Sequence, residues 1–169
     1  MRRPSRFVPL LATAVMVFCY FSGPAPAEAK DWKWSKYGFR MWLPNSMKPT
    51  SSNSSYFIAK GHGIVLKVAP WRSRMTTSKK AAMYGYNSYS IIQRKRILFQ
   101  KRVKKWGSWR HTIIGEGIAE GRPAFFAVIG ISSRRSNNNF YVRMWWRPRN
   151  HAWAKPMVQQ IARRIYLLR

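Results

Sequence analysis

The clearest strand pattern runs over residues 109–131, WRHTIIGEGIAEGRPAFFAVIGI, two long largely apolar arms about a polar centre. On the first arm Thr112, Ile114, Glu116 and Ile118 alternate with His111, Ile113, Gly115 and Gly117. On the second, Phe125, Ala127, Ile129 and Ile131 alternate with Ala124, Phe126, Val128 and Gly130. Successive strand side chains point to opposite faces, so each arm offers an apolar face to a core. Glu120-Gly121-Arg122-Pro123 separates the arms, and the stretch predicts a long β-hairpin that organises the domain.

The same period extends outward. Residues 37–43 predict a first strand with Phe39, Met41 and Leu43 on one face, closed by Pro44, which cannot donate to a ladder. The lead-in at 30–35 and the Pro/Ser/Asn-rich residues 45–55 read as irregular. Residues 56–59 and 64–69 predict two strands about a Gly61-His62-Gly63 turn, with Pro70 ending the second. Residues 94–105 predict an edge strand with a cationic outer face, where Ile97, Phe99 and Val103 alternate with Leu98, Gln100 and Arg102. Lysines are common at sheet edges because they discourage further pairing. Residues 140–146 predict the last strand, with Phe140, Val142, Met144 and Trp146 opposite Tyr141, Arg143 and Trp145.

Two segments change to helical spacing. One runs from Ser78 to Ile92 or Gln93, with Thr76, Thr77 and Ser78 as candidate N-caps and Ala82, Tyr86, Tyr89 and Ile92 as its stripe. The other begins near Ala152, with Asn150 as candidate cap and Ala154, Met157, Val158, Ile161, Ile165 and Leu168 along one side. The elements together predict an α+β fold: a twisted, mainly antiparallel sheet of six or seven strands with two main helices, one mid-chain and one C-terminal.

The N-terminus changes the picture of where this domain works. Arg2, Arg3 and Arg6 precede a run of about 15 mostly apolar residues ending at Phe21. Small residues then stand before Glu28 and before Lys30, as a signal-peptide cleavage site requires. The run is shorter than the ~20 residues of a spanning helix. Residues 1–29 therefore read as a secretory signal peptide, cleaved after Ala27 or Ala29, and 30–169 as a single periplasmic or secreted domain. The rival is retention as an N-terminal anchor. Lipidation at Cys19 is disfavoured by the bulky Phe18 before it. Cleavage removes this sole cysteine, which excludes disulfides, thiolate metal sites and a cysteine nucleophile from the mature chain.

Charge narrows the partners. From Lys30 onward there are 29 Lys and Arg, all of the 32 except Arg2, Arg3 and Arg6. They face three acids, Asp31, Glu116 and Glu120, giving a formal charge of +26. Such self-repulsion opposes a compact state, so aromatic burial or an anionic partner must offset it. All nine Trp lie in this part of the chain, which a disordered basic tail would lack.

Two short motifs carry a resemblance. The opening strand has Tyr37, Gly38, Phe39, Met41, Leu43 and Pro44 in the pattern YGFxΦxΦP, where Φ is hydrophobic. The hairpin turn has Gly121 with Pro123-Ala124, as GxPA. With strands, a helix, more strands and a terminal helix in that order, the chain resembles the PsbP/DcrB-like family, the α/β/α sandwich of photosystem II extrinsic proteins and bacterial envelope lipoproteins. The resemblance implies an accessory or binding role, and the family has no common catalytic residues to carry over. The basicity and the tryptophan content depart from the family pattern.

Candidate chemistry is sparse. His62, His111 and His151 have no metal-ligand spacing among them. Glu116 and Glu120 share a strand face, as paired glycosidase carboxylates would, but so many cations make them read as internal counter-ions. No P-loop, GxGxxG turn, HExxH or GxSxG elbow is present. The reading is non-enzymatic, with no cofactor and no metal site. What remains are two cationic blocks. The first, at residues 94–105, has Arg94, Lys95, Arg96, Lys101, Arg102, Lys104 and Lys105, seven cations in twelve residues. The second is Arg143, Trp145, Arg147 and Arg149. Cations bind phosphates or anionic headgroups without reading sequence, and interleaved aromatics stack on bases or headgroups. These residues are the expected surface for an anionic envelope polymer, a lipid surface or an acidic protein. A secreted nucleic-acid binder, a Trp/Arg-rich membrane-active effector and a small hydrolase are the alternatives.

Overall fold

The computed structural model describes residues 29–71, 77–105, 107–133 and 139–167. The chain forms β1 (Ala29–Trp34), β2 (Phe39–Pro44), β3 (Lys48–Ser52), β4 (Phe57–Gly61), β5 (Ile64–Trp71), α1 (Ser78–Asn87), β6 (Ile92–Lys105), β7 (Ser108–Ala119), β8 (Arg122–Ser133), β9 (Asn139–Trp146), α2 (His151–Arg163) and β10 (Ile165–Leu167). Seven strands make one antiparallel sheet in the order β3-β4-β5-β9-β8-β7-β6, and β1-β2-β10 make a second. The α+β expectation, the antiparallel sheet and the two helices are borne out; the second sheet is an addition.

The β7–β8 hairpin sits where the alternation placed it. Its register runs unbroken from Ser108↔Ser133 to Ala119↔Arg122. The turn is the two residues Glu120-Gly121, both at positive φ (50° and 73°), the geometry that matches strand twist in tight hairpins. His62-Gly63 repeats the device between β4 and β5, with φ of 47° and 66°.

The main sheet has two covered faces. On one, Leu66, Ile129, Val142 and Trp146 meet Phe39 and Met41 of β2 and Ala154, Val158 and Ile161 of α2. On the other, Ile113, Phe126, Val128 and Trp145 meet Ala82 of α1 together with Tyr89 and Ile92. Gly130 lets α1 approach: a Cβ there would lie 2.1 Å from the Ser78 carbonyl and 2.2 Å from the Ala82 nitrogen. The buried side of α1 is accordingly small, made of Ser78, Ala81, Ala82 and Gly85.

Several boundaries differ from the sequence expectation. Residues 30–35 are no lead-in; Lys30 to Trp34 pair with β2. The polar stretch 45–55 contains β3, an exposed edge strand. Pro70 does not end β5, which continues through Trp71. Helix α1 stops at Asn87, where the Ser88 N–H bonds back to the Tyr84 carbonyl, so Tyr89 and Ile92 reach the core from beyond the helix. Thr77 is the N-cap, its hydroxyl accepting from the Lys80 N–H at 3.2 Å, while Thr76 lies outside the described residues. Asn150 makes no side-chain cap on α2. Ile165 belongs to β10 and pairs with Met41 of β2. Leu168 and the expected signal peptide, up to Glu28, lie outside the described residues.

Candidate functional site

The cations expected to bind a partner divide into those the fold uses and those it presents. All three acids among the described residues are in ion pairs: Asp31 with Arg40, Glu116 with Arg96 at 2.6 Å, and Glu120 with Arg147 at 2.7 Å. Glu116 and Glu120 thus act as counter-ions, each holding an arginine from one of the two blocks.

Most of the second block is built into the sheet. Arg147 also donates to the Ala119 carbonyl at 2.7 Å and the Arg122 carbonyl at 3.2 Å, which clamps the hairpin end. Its guanidinium lies 5.0 Å from the centre of a Trp145 ring. Trp145 is only 9% exposed and packs in the core beneath α1, so little of its ring is available for stacking on a ligand. Arg143 donates to the Ser88 carbonyl at 2.8 Å and lies over the Tyr89 and Tyr141 rings. Arg149 is exposed in the short turn before α2.

The first block is split along its length. Arg94 is exposed at a positive-φ position (47°) where β6 is irregular. Lys95 donates to the Tyr86, Asn87 and Tyr89 carbonyls at 2.6, 3.3 and 3.4 Å. Together Lys95 and Arg143 satisfy the open carbonyl end of α1, where cations also suit the helix dipole. Burial, with Arg143 nearby, lowers the Lys95 pKa. Arg96 is engaged by Glu116. Further out, Arg102 lies 4.2 Å from the centre of the Trp109 ring, and Lys104 5.9 Å from it. Lys101, Arg102 and Lys104 are exposed.

A register shift between Ile97 and Phe99 decides what the outer half of β6 faces. Ile97 pairs with Gly115 and packs under α1, whereas Phe99 pairs with Ile114, on the opposite face of β7. The simple alternation of Ile97, Phe99 and Val103 on one side therefore fails at the bulge. Phe99 (51% exposed) and Val103 (38%) instead floor a groove of about 420 Å³ between β6–β7 and α2. Ile114, Val158 and Ala162 complete its apolar lining, and Lys101, Lys104, Lys105, Arg110 and Arg163 surround it. Arg110 is almost fully buried and donates to the Ala162 and Arg163 carbonyls at 3.2 and 3.1 Å, and to that of Ile165. Burial pulls its pKa down to about 10, so it remains charged at neutral pH.

Lys95 adjoins Arg143 at the end of α1, but the outer half of the first block lies apart from the second. Arg147 is tied at the Ala119 end of β7, while the groove lies beside Arg110, Thr112 and Ile114, toward the other end. Sequence reasoning named Lys101, Lys104 and Lys105 but missed the groove they border. Its one signal was Phe99 and Val103 on an otherwise cationic edge strand.

The histidines have ordinary surroundings. The His62 ring packs on Trp153 at 5.2 Å, and His151 lies 4.2 Å from Phe125. His111 is buried against Gln100 at 3.3 Å. Burial lowers its pKa, and Lys79 and Arg102 add to the effect. Among the described residues, no three His, Cys, Asp or Glu side chains gather as metal ligands would. No described helix is long and apolar enough to cross a membrane.

No protein-family model matches the sequence, and no curated protein is significantly similar to it. Solved structures share its fold. Cyanobacterial PsbP (CyanoP) from Synechocystis sp. PCC 6803 superimposes with a TM-score of 0.63 at 11% identity, covering 86% of this chain and 95% of that one. The Ran-binding protein Mog1p of Saccharomyces cerevisiae gives 0.60 at 8% identity, over 84% and 96% of the two chains. LpqN of Mycobacterium tuberculosis, involved in cell envelope biogenesis, gives 0.57 at 8% identity, over 84% and 91%. The protein has a PsbP-like fold, as the YGF strand and the GxPA turn implied.

Proposed function

We propose that this chain is an exported, strongly cationic, non-enzymatic binding or accessory protein of the bacterial cell envelope that engages anionic partners. The observation that carries the reading is the disposition of charge. Asp31, Glu116 and Glu120 are all taken by arginines within the fold, so the surplus of +26 has no internal answer. Exposed Lys101, Arg102 and Lys104 concentrate part of that surplus on one sheet edge, beside a groove. The signal-like N-terminus, and the involvement of the similarly folded LpqN in cell envelope biogenesis, support an envelope or secreted location. Phosphate-rich polymers, lipid headgroups and acidic proteins share the required chemistry.

Retention on immobilised heparin, followed against salt, tests the reading. Affinity should fall steeply as salt rises, because bound counter-ions are released on association. The triple variant Lys101→Gln, Arg102→Gln, Lys104→Gln should flatten that dependence by about one unit of slope per lost contact. A dependence near zero in the unaltered protein overturns the proposal.

A further inference from the structure

The groove beside β6 has a composition that a purely electrostatic surface does not need. Its floor is apolar and partly open, with Phe99 and Val103 from β6, Ile114 from β7, and Val158 and Ala162 from α2. At about 420 Å³ it falls within the roughly 300–1,000 Å³ of small-molecule clefts. Its border is cationic, with exposed Lys101 on one wall and exposed Arg163 on the other. The wall beneath is held rigidly, because Arg110 ties β7 to the last carbonyls of α2 and to β10. An apolar floor between cationic walls complements a molecule that is apolar along its length and anionic at one end.

A bare inorganic anion would leave the floor unused. Strand addition by an acidic peptide is opposed by β6 itself, whose two register shifts and row of cations are the usual guards of a sheet edge. We propose that this groove binds a single-chain fatty acid, its alkyl chain on Phe99, Val103, Ile114 and Ala162 and its carboxylate against Lys101 and Arg163. The proposal rests on the anionic-partner reading and adds the apolar half of the ligand. Burial of the chain supplies affinity in proportion to the apolar area covered. The cations, partly shielded from water by the bound chain, select the carboxylate.

The test is calorimetric titration of the full mature chain with palmitate below its aggregation concentration, with hexadecanol as the neutral counterpart. Palmitate should bind at one site, at least fivefold more tightly than hexadecanol. Val103→Trp, which fills the groove from an exposed strand position, should weaken palmitate at least tenfold while leaving heparin elution unchanged. Lys101→Gln should weaken palmitate severalfold and hexadecanol hardly at all. Equal binding of both probes overturns the role of the cations, and palmitate binding unaffected by Val103→Trp overturns the groove. A decaglutamate peptide that binds in a Val103-dependent way where palmitate does not bind overturns the lipid in favour of an acidic protein. Loss of heparin retention with palmitate binding intact would instead sink the broader envelope-polymer reading and leave the groove standing.

Discussion

The arginines of β9 and its following turn, and the cations on the outer half of β6, look alike in sequence and behave differently in the fold. Arg143 and Arg147 come from or directly follow a strand with neighbours on both sides, and their guanidiniums are used by the carbonyl of Ser88, which caps α1, and by carbonyls of the β7–β8 hairpin. Lys101, Arg102 and Lys104 come from a strand with one neighbour, and their side chains are exposed. A basic run therefore carries no single meaning. A cation on a central strand, or on the inner half of β6 beside α1 as Lys95 is, reaches unsatisfied carbonyls and becomes part of the frame; on the outer half of the edge it is left for solvent, a neighbouring ring or a partner.

The sharpest way to break this distinction is to remove a cation the fold uses. Arg110→Ala should cost about 3 kcal/mol in urea unfolding, since three carbonyls lose a charged donor in a buried site. Arg147→Ala should cost about 1–2 kcal/mol, because its hydrogen bonds are partly exposed. His111 supplies a smaller, pH-dependent effect. Its folded pKa is depressed, so the unfolded chain takes up a proton that the folded one resists. Stability should be fully present above the unfolded value of about 6.5 and decline as pH falls below it, by less than about 1.4 kcal/mol per pH unit. His111→Gln should remove that portion of the slope when unfolding is measured between neutral pH and mild acid. The smallest effect belongs to the edge: the triple Lys101→Gln, Arg102→Gln, Lys104→Gln variant should stay within about 0.5 kcal/mol of the parent while losing heparin affinity. A large stability loss in that variant would erase the contrast.

How much of this was legible in sequence follows the same contrast. The β7–β8 hairpin could be read because burial on both faces leaves two long, largely apolar runs, and because Glu120-Gly121 between them is a turn pair with a known geometry. β3 could not, because an exposed edge strand leaves no apolar pattern; four of its five residues are exposed. β1 was obscured in the same way, with Lys30, Asp31 and Lys33 around its two tryptophans. Helix α1 was read too long because Tyr89 and Ile92 continue its spacing by coincidence, while the buried contact depends on small residues opposite Gly130. Ile165 follows α2 in phase but belongs to β10, since an Ile-Tyr-Leu run suits either structure. The groove was out of reach because it joins β6 to α2 across some sixty positions, and because one bulge reversed the side on which Phe99 and Val103 lie.

The capture of Asp31, Glu116 and Glu120 by arginines has a consequence for regulation. From Lys30 onward, the side chains that ordinarily titrate between pH 5 and 8 are the three histidines, and His111 is held against protonation. Against a charge of +26, two or three protons are a minor correction. The chain's charge from Lys30 onward is set by lysine and arginine and is in effect constant from mild acid to neutral pH. Beyond the His111 effect on stability, acidification changes the protein's charge little, so any change in binding with pH should originate in the ligand's own acid groups, and salt should be the stronger control.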